Sequence, residues 1–353
     1  MNSGQIKHKH ISETWVLSHR VQLQKRNQLQ ALFQAIQQGL PEEVLAGPPI
    51  CIIQFITSVR DGYDVDLCFP VWESFGKDSD LTRLLPARDV LSLVHEGPLD
   101  ELGESYRTLY AWTAERGIVS DEFCHEVYLD PIGLEAIEIQ FVIHAWEELL
   151  ADHLARVVNE ESAHQIAAMR DAPTVDTTLE ERFQWVRSAV TNLEKEGGDE
   201  VCYQVLSRCA HVFPERQISK LREVYLGAEK AGGDMLEAVD AVIDFMDRDP
   251  GWGEGASREG YTIYTAKAPR DPAAYEAAKS LEEKRKAYCF CPLIRDNLDE
   301  GMPAVFCYCG SGWYRQQWEG ALGRPVKIEI VRSLLQGDEL CEFAIALPKE
   351  ARA

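Results

Sequence analysis

The N-terminal part of the chain contains two copies of one pattern, offset by 72 positions. Residues 65–71, VDLCFPV, and residues 137–143, IEIQFVI, both alternate apolar with polar or small side chains, as half-buried strands do. The same offset places CIIQFI at 51–56 on FCHEVY at 123–128. A sequence that repeats itself in this way predicts two similar halves, and this restricts the fold more than any single motif does.

Each copy also contains a helix that follows a strand. Residues 27–41 and 98–117 carry apolar side chains at helical spacing, and the strand-like segments 14–21 and 89–97 precede them. The predicted order is strand, helix, strand, strand, and then the same again. We expect each helix to cover one face of its three strands, and a ligand site to lie in the cleft between the two halves.

The rest of the chain predicts an α+β protein with further domains. Residues 147–178 indicate a helix followed by a polar linker, and residues 179–353 indicate helices followed by a cysteine-rich α/β part. The predicted fold is therefore a duplicated β-α-β-β domain over 1–146, a helical segment, and a cysteine-rich domain. Within the last of these, segments 326–331 and 341–347 alternate as antiparallel strands.

Charge and hydropathy limit the classes of partner. The formal net charge is -22, from 36 basic and 58 acidic residues, so the chain as a whole would repel nucleic acid. No apolar run reaches the roughly 18 residues that a membrane-spanning helix needs. The N-terminus has no apolar stretch behind its basic residues, so we expect no signal peptide, no membrane association and a cytoplasmic location.

A family resemblance lies in the second copy. The run LPARDVLSLVHEGPLDELGESYRTLYAWTAERG, followed by HEVYLDP, resembles the second half of the GyrI-like effector-binding domain, which is the ligand module of many multidrug-responsive regulators. The matching residues are His95, Gly97, Pro98, Leu102, Tyr106, Leu109, Trp112, Glu126, Tyr128, Asp130 and Pro131. The resemblance implies that an acidic residue in the pocket meets a cationic or electrophilic ligand, with aromatic side chains around it.

The acidic residue that matches is Glu126. Its repeat partner at the 72-residue offset is Gln54, so the two halves would offer unlike polar groups to one cleft. Tyr110, Tyr128 and Trp72 are candidate wall residues that would stack on a cationic or aromatic ligand. The alternative interpretation is that Glu126 faces water at a strand edge and that the aromatic residues only fill the core.

Cysteines cluster in the second half of the chain. Two Cys-x-Cys pairs, Cys289 with Cys291 and Cys307 with Cys309, begin eighteen residues apart, and Cys341 is a further candidate. In an extended chain residues i and i+2 point to one side, so both pairs could converge on a zinc ion or an iron–sulfur cluster. Buried structural thiols and a reactive thiol are the alternatives. The segment QGDELCEFAIAL is also similar to the end of the vinyl-four-reductase type of domain and of a Cys-rich family associated with aminothiazoline-carboxylate hydrolases, which implies a second ligand-binding domain.

Three functions are compatible with these features. The leading hypothesis is a small-molecule-binding protein, a sensor or a sequestering protein without its own DNA-binding module. The alternative is a hydrolase of electrophilic small molecules in which Glu126 positions water or acts as general base. A third hypothesis, an accessory protein that docks on a DNA-binding partner, depends on family analogy alone.

Overall fold

A computed structural model of the chain describes residues 5–54, 63–77, 79, 81–144, 146–159, 161, 166, 172–213, 215–248 and 255–349. The chain divides into two compact units, Met1–His144 and Ala145–Ala353, and each contains its own sheet. The mixed α+β class predicted from the sequence is confirmed. Among the described helices, none is long and apolar enough to cross a membrane.

The first unit is an antiparallel sheet of eight strands with helices. The strands are β1 (Lys7–Ile11), β2 (Thr14–Leu23), β3 (Ile50–Gln54), β4 (Tyr63–Pro70), β5 (Thr82–Leu85), β6 (Arg88–Glu96), β7 (Ser120–Tyr128) and β8 (Ala136–Ile143), and the helices are α1 (Gln28–Gln38), α2 (Glu73–Lys77) and α3 (Leu102–Glu115). The predicted duplication is confirmed, because β2-α1-β3-β4 and β6-α3-β7-β8 have the same order. The alternation of the sequence did not predict β1, β5 or α2.

The two copies meet along one central pair of strands. The strand order is β1-β6-β8-β7-β3-β4-β2-β5, so β3 of the first copy pairs with β7 of the second. In this antiparallel register Cys51 lies opposite Glu126, and the backbone of Gln54 lies opposite Phe123. The centre of the sheet therefore brings residues of both copies together.

The two faces of the central strands differ in chemistry. Successive residues of a strand point to opposite faces, so Glu126 and Tyr128 share one face, while His125 lies on the other. Phe33 of α1 contacts Tyr128, and Tyr106 of α3 contacts Phe141 of β8, so both helices cover the Glu126 face. The opposite face contains an apolar cluster, formed by Val16, Ile50, Ile52, Cys68, Leu85 and Val127.

The second unit combines helices with a four-stranded antiparallel sheet of order β11-β12-β10-β9. Its helices are α4 (Trp146–Val157), α5 (Leu179–Leu206), α6 (Glu215–Lys230), α7 (Met235–Arg248), α8 (Pro272–Ala277), α9 (Leu281–Tyr288) and α10 (Tyr308–Leu322), and its strands are β9 (Ala256–Glu259), β10 (Thr262–Ala266), β11 (Lys327–Arg332) and β12 (Glu342–Ala346). The predicted antiparallel pairing of the last two strands is confirmed.

Two of the helical segments in the second unit are interrupted. The Gly-Gly pair interrupts α5, because Gly198 has a φ of 68° and a ψ of -178°, outside the helical range, so α5 consists of two helices that meet at a kink. Residues 272–288 form two helices rather than one continuous helix, because Ser280 begins α9 with a capping box in which its hydroxyl accepts from the Glu283 N–H. Half of residues 159–178, where the polar linker is predicted, lies outside the described residues.

Candidate functional site

A buried carboxylate lies on the helix-covered face of the first sheet. Glu126 is 0 % exposed and accepts hydrogen bonds from two phenol groups: Tyr106 Oη at 2.6 Å from Oε1, and Tyr128 Oη at 2.6 Å from Oε2. Arg26 Nη1 lies 3.0 Å from Oε1. A charge removed from water is tolerated when it is paired and hydrogen-bonded, and each of these contacts is of that kind. We call these four residues the Glu126 cluster.

Separate elements bring the cluster together. Tyr128 follows Glu126 by two positions on β7, so the alternation of the strand places both side chains on one face. Tyr106 belongs to α3, which lies over the same face. Arg26 lies in the turn between β2 and α1, outside any helix or strand. The first copy thus supplies the cation, and the second copy supplies the carboxylate and both phenols.

The turn that holds Arg26 is itself ordered by hydrogen bonds. The side-chain carbonyl oxygen of Gln28 accepts from the backbone N–H of Gln24 at 2.8 Å and of Lys25 at 3.0 Å. The backbone carbonyl of Arg26 accepts from the Leu29 N–H at 3.0 Å, as the first turn of α1 begins. The backbone of Arg26 is therefore fixed, and its side chain is directed from that turn toward the sheet.

Aromatic rings surround the cluster on both sides. Phe33 of α1 lies 4.9 Å from the Tyr128 ring and 6.1 Å from the Phe69 ring, measured between centroids. Phe141 of β8 lies 5.9 Å from the Tyr106 ring. The guanidinium of Arg26 lies 5.7 Å from the centroid of Tyr106, within the range of a cation–π contact. The carboxylate is thus enclosed by aromatic side chains.

Burial and the Glu126 charge act together on the neighbouring groups. Burial first, and then Glu126, raise the pKa of Tyr106 and of Tyr128 well above the ordinary value, so both phenols remain protonated donors. The same two causes raise the pKa of the Cys51 and Cys124 thiols. Burial alone would lower the pKa of Arg26, but Glu126 and the phenols raise it overall, which keeps the guanidinium charged.

A further hydrogen bond connects Cys124 to the Glu126 cluster. The Cys124 sulfur lies 3.2 Å from Tyr106 Oη. Because the Tyr106 hydroxyl donates its proton to Glu126, the thiol is the donor in this contact. The chain of donors runs from Cys124 through Tyr106 to the carboxylate, and it orients the phenol toward Glu126.

The other predicted site residues differ in their relation to Glu126. Tyr110 is 44% exposed and lies 4.7 Å from the Phe141 ring, at the edge of the aromatic surroundings. Trp72 is 57% exposed at the end of β4. Gln54 pairs by its backbone with Phe123, and its side chain lies outside the described part of the structure. Their roles as ligand contacts remain predictions.

Two members of the cluster were not assigned to the site from the sequence. Tyr106 was among the residues of the family resemblance, and its helical spacing from Leu102 and Leu109 indicated a core position rather than a donor. Arg26 follows Lys25 between a strand and a helix, a pattern typical of a solvated turn. Only the packing of α1 and α3 on one face reveals that both side chains reach Glu126.

The cysteine pairs of the second unit do not share one backbone conformation. Cys289 follows α9 with an extended backbone, as expected. Cys307 ends a short 3-10 helix and Cys309 is in the first turn of α10, so the expectation of an extended chain is wrong for this pair. Residues two apart on a helix point in nearly opposite directions. Accordingly, Cys309 Sγ donates to the Cys209 carbonyl at 3.4 Å.

Cys307 lies near Cys341, Cys289 and Cys291, whereas Cys309 lies near Cys291. Burial first, and then the proximity of Cys341, Cys289 and Cys291, raise the pKa of Cys307 well above the ordinary value. Thiols are donors that soft metals prefer, but among the described residues no three of these sulfur atoms lie within 4.8 Å of one another. The arrangement is therefore not that of a preassembled metal site, and metal binding remains a prediction.

Comparison with known proteins gives a family match within the first unit. Residues 6–141 match the family model described as the GyrI-like small molecule binding domain. A comparison with curated proteins gave no match. The chain is similar to EcmrR in its complex with DNA, at 25% identity and a TM-score of 0.35, over 40% of this chain and 58% of that chain, so it spans less than two thirds of that EcmrR chain.

Two further solved structures resemble part of the chain. The EcmrR C-terminal domain is 26% identical over 40% of this chain and 97% of that chain, with a TM-score of 0.33. SAV2435, solved with tetraphenylphosphonium, is 9% identical over 41% of this chain and 96% of that chain, with a TM-score of 0.30. The resemblance of the C-terminal part to the vinyl-four-reductase type remains a prediction.

Proposed function

We propose that the GyrI-like domain formed by residues 6–141 binds a small organic cation with an aromatic body, and that Glu126 recognises its positive group. The observation that carries this proposal is the fully buried carboxylate within aromatic surroundings. A charge pair is stronger where water is excluded, and aromatic faces add cation–π attraction. A compact aromatic cation satisfies both requirements at once.

The arrangement favours binding over hydrolysis. The carboxylate accepts from Tyr106 and Tyr128 and forms an ion pair with Arg26, so the site already holds a cation in the way that it would hold a ligand cation. We therefore propose a protein that senses or sequesters its ligand, in preference to the hydrolase alternative.

A matched ligand pair tests the role of Glu126. Benzamidinium and benzamide have nearly the same shape but differ by one positive charge. Calorimetric titration of the wild-type protein should show binding of benzamidinium, and Glu126→Gln should weaken it by about tenfold or more, a loss of about 1.4 kcal/mol or more. Benzamide should bind the wild-type protein more weakly than benzamidinium does, and Glu126→Gln should not weaken benzamide binding.

Glu138→Gln is the matched control. Glu138 is also nearly buried and paired with a cation, Lys9 at 2.7 Å, but it lies on β8 and faces the opposite side of the sheet. This variant should keep the affinity of the wild type for benzamidinium. Equal affinity of the wild type and Glu126→Gln, both of them folded, would overturn the assignment of Glu126.

A further inference from the structure

We infer that Arg26 is a built-in cation that occupies the ligand's place on Glu126 and determines which cations the site accepts. This inference rests on the proposed function, because it takes Glu126 to be the recognition point. It adds a competitor that belongs to the chain itself. A ligand cation must displace the guanidinium of Arg26 before it reaches the carboxylate.

Arg26 already makes the two contacts expected of a ligand cation. Its Nη1 lies 3.0 Å from Glu126 Oε1, and its guanidinium carbon lies 5.7 Å from the centroid of the Tyr106 ring. An ion pair and a cation–π contact are the same interactions that an aromatic cation would form with these two residues. Arg26 and the ligand therefore compete for one set of partners.

Arg26 is also the member of the cluster that can leave. Glu126 and Tyr128 belong to a central strand and Tyr106 to α3, so their displacement would disturb the sheet or the helix. Arg26 extends from a turn, and its side chain is 23% exposed while that of Glu126 is 0% exposed. Rotation about its own side-chain bonds moves the guanidinium into water and exposes the carboxylate.

Charge balance gives this exchange its selectivity. When a monocation replaces Arg26, the carboxylate keeps one positive partner, and the displaced guanidinium is solvated. A neutral ligand would leave the buried carboxylate without its ion pair, which is unfavourable in a site that excludes water. A small cation without an aromatic body gains no more than Arg26 already provides. The site therefore selects cations that add aromatic contacts to the charge.

The test compares arginine variants in the full-length protein. Arg26→Ala should bind benzamidinium about tenfold or more tightly than the wild type, because the competitor is removed. Arg26→Lys keeps a positive charge without the planar fork and should lie between the two. Arg107→Ala, which removes an exposed arginine paired with Glu104 on α3, is the matched control and should bind as the wild type does.

A second measurement needs no aromatic ligand. Methylguanidinium reproduces the head of the missing side chain, so at millimolar concentration it should raise the melting temperature of Arg26→Ala above that in sodium chloride of equal ionic strength. It should not do so for the wild type, nor for the double variant Arg26→Ala/Glu126→Gln. If Arg26→Ala does not fold, Arg26→Gln gives the same comparison with a neutral side chain that retains hydrogen bonding.

The outcomes separate this inference from the proposed function. Equal benzamidinium affinity of the wild type and Arg26→Ala overturns the inference and leaves the proposed function in place. Absence of benzamidinium binding by both proteins, together with Glu126-dependent stabilisation by methylguanidinium, supports the inference and overturns the proposed ligand class. Absence of both effects overturns both.

Discussion

Adjacent residues of β7 show how one residue step changes the environment of a titratable group. Glu126 points to the helix-covered face, where two phenols and a guanidinium satisfy it. His125 points to the other face, is 6% exposed, and its Nδ1 atom has no hydrogen-bond partner among the described residues. Burial first, and then Arg88 and Arg83, lower the pKa of His125 to about 3.

The lowered pKa of His125 predicts acid sensitivity. The unfolded chain binds a proton at this histidine near pH 6.5, but the folded chain does so only near pH 3. The contribution to stability is therefore complete above pH 6.5 and is lost as the pH falls toward 3, with a limiting slope of about 1.4 kcal/mol per pH unit. Denaturant unfolding between pH 7 and pH 4 should show a smaller decrease for His125→Gln than for the wild type, and parallel decreases would contradict the prediction.

At the same scale, the sequence predicted the carboxylate of the ion pair between Glu126 and Arg26, but it did not predict the guanidinium. Glu126 could be identified because the residue at the equivalent position of the first copy has a different side chain, and because Glu126 matches the family pattern. Arg26 has no such signal, since a basic residue in a turn is usually solvated. Its partner is 100 positions away in the chain, and only the folded sheet brings the two together.

Among the elements, the regular strands and helices of the duplicated part were predicted well, and the backbone conformation of the Cys307–Cys309 pair was not. The period-two alternation of the duplicated strands is a direct consequence of a sheet with chemically distinct faces, which is why both copies could be predicted. The Cys-x-Cys pairs carry no such periodicity. An extended backbone is expected for Cys307 and Cys309, but both residues lie in a helical stretch in which Phe306 and Tyr308 are buried. The helical backbone directs the two thiols to different sides.

Because their thiols point to different sides, Cys307 and Cys309 are predicted to differ in metal binding. We expect any zinc or iron that copurifies with the protein to depend more on Cys307 than on Cys309. Cys307 lies near Cys289, Cys291 and Cys341, whereas Cys309 lies near Cys291 and donates to a backbone carbonyl. Elemental analysis and an absorption spectrum of protein purified without oxygen should show loss of the metal in Cys307→Ser alone. An equal loss in Cys309→Ser would contradict the assignment.

For the whole molecule, the net charge indicates the sign of a favoured small ligand but not where such a ligand would bind. The formal net charge of -22 creates a potential that favours cations near the protein. Location could not be predicted from charge, because acidic residues occur along the entire chain. Under the proposed function it depends on Glu126, a carboxylate that the fold removes from water.

The same net charge predicts that affinity for a cation depends on salt. The Debye length falls from about 10 Å at 0.1 M to about 3 Å at 1 M ionic strength, so the attraction by distant acidic residues is screened. Benzamidinium should bind several-fold more weakly in 0.5 M than in 0.05 M sodium chloride, and benzamide should be unaffected. Calorimetric titration at the two salt concentrations measures both, and a salt-independent benzamidinium affinity would contradict the prediction.

The short tether of Arg26 has a consequence for the concentration at which the site responds. A group held by the chain beside its partner has an effective concentration on the order of millimolar or above. A free cation of equal intrinsic affinity, present at micromolar concentration, therefore leaves the site in its resting state. The turn between β2 and α1 would thereby set the ligand concentration at which Arg26 is displaced. Simple amines would leave Arg26 in place, whereas a cation whose aromatic surface adds enough binding free energy would displace it.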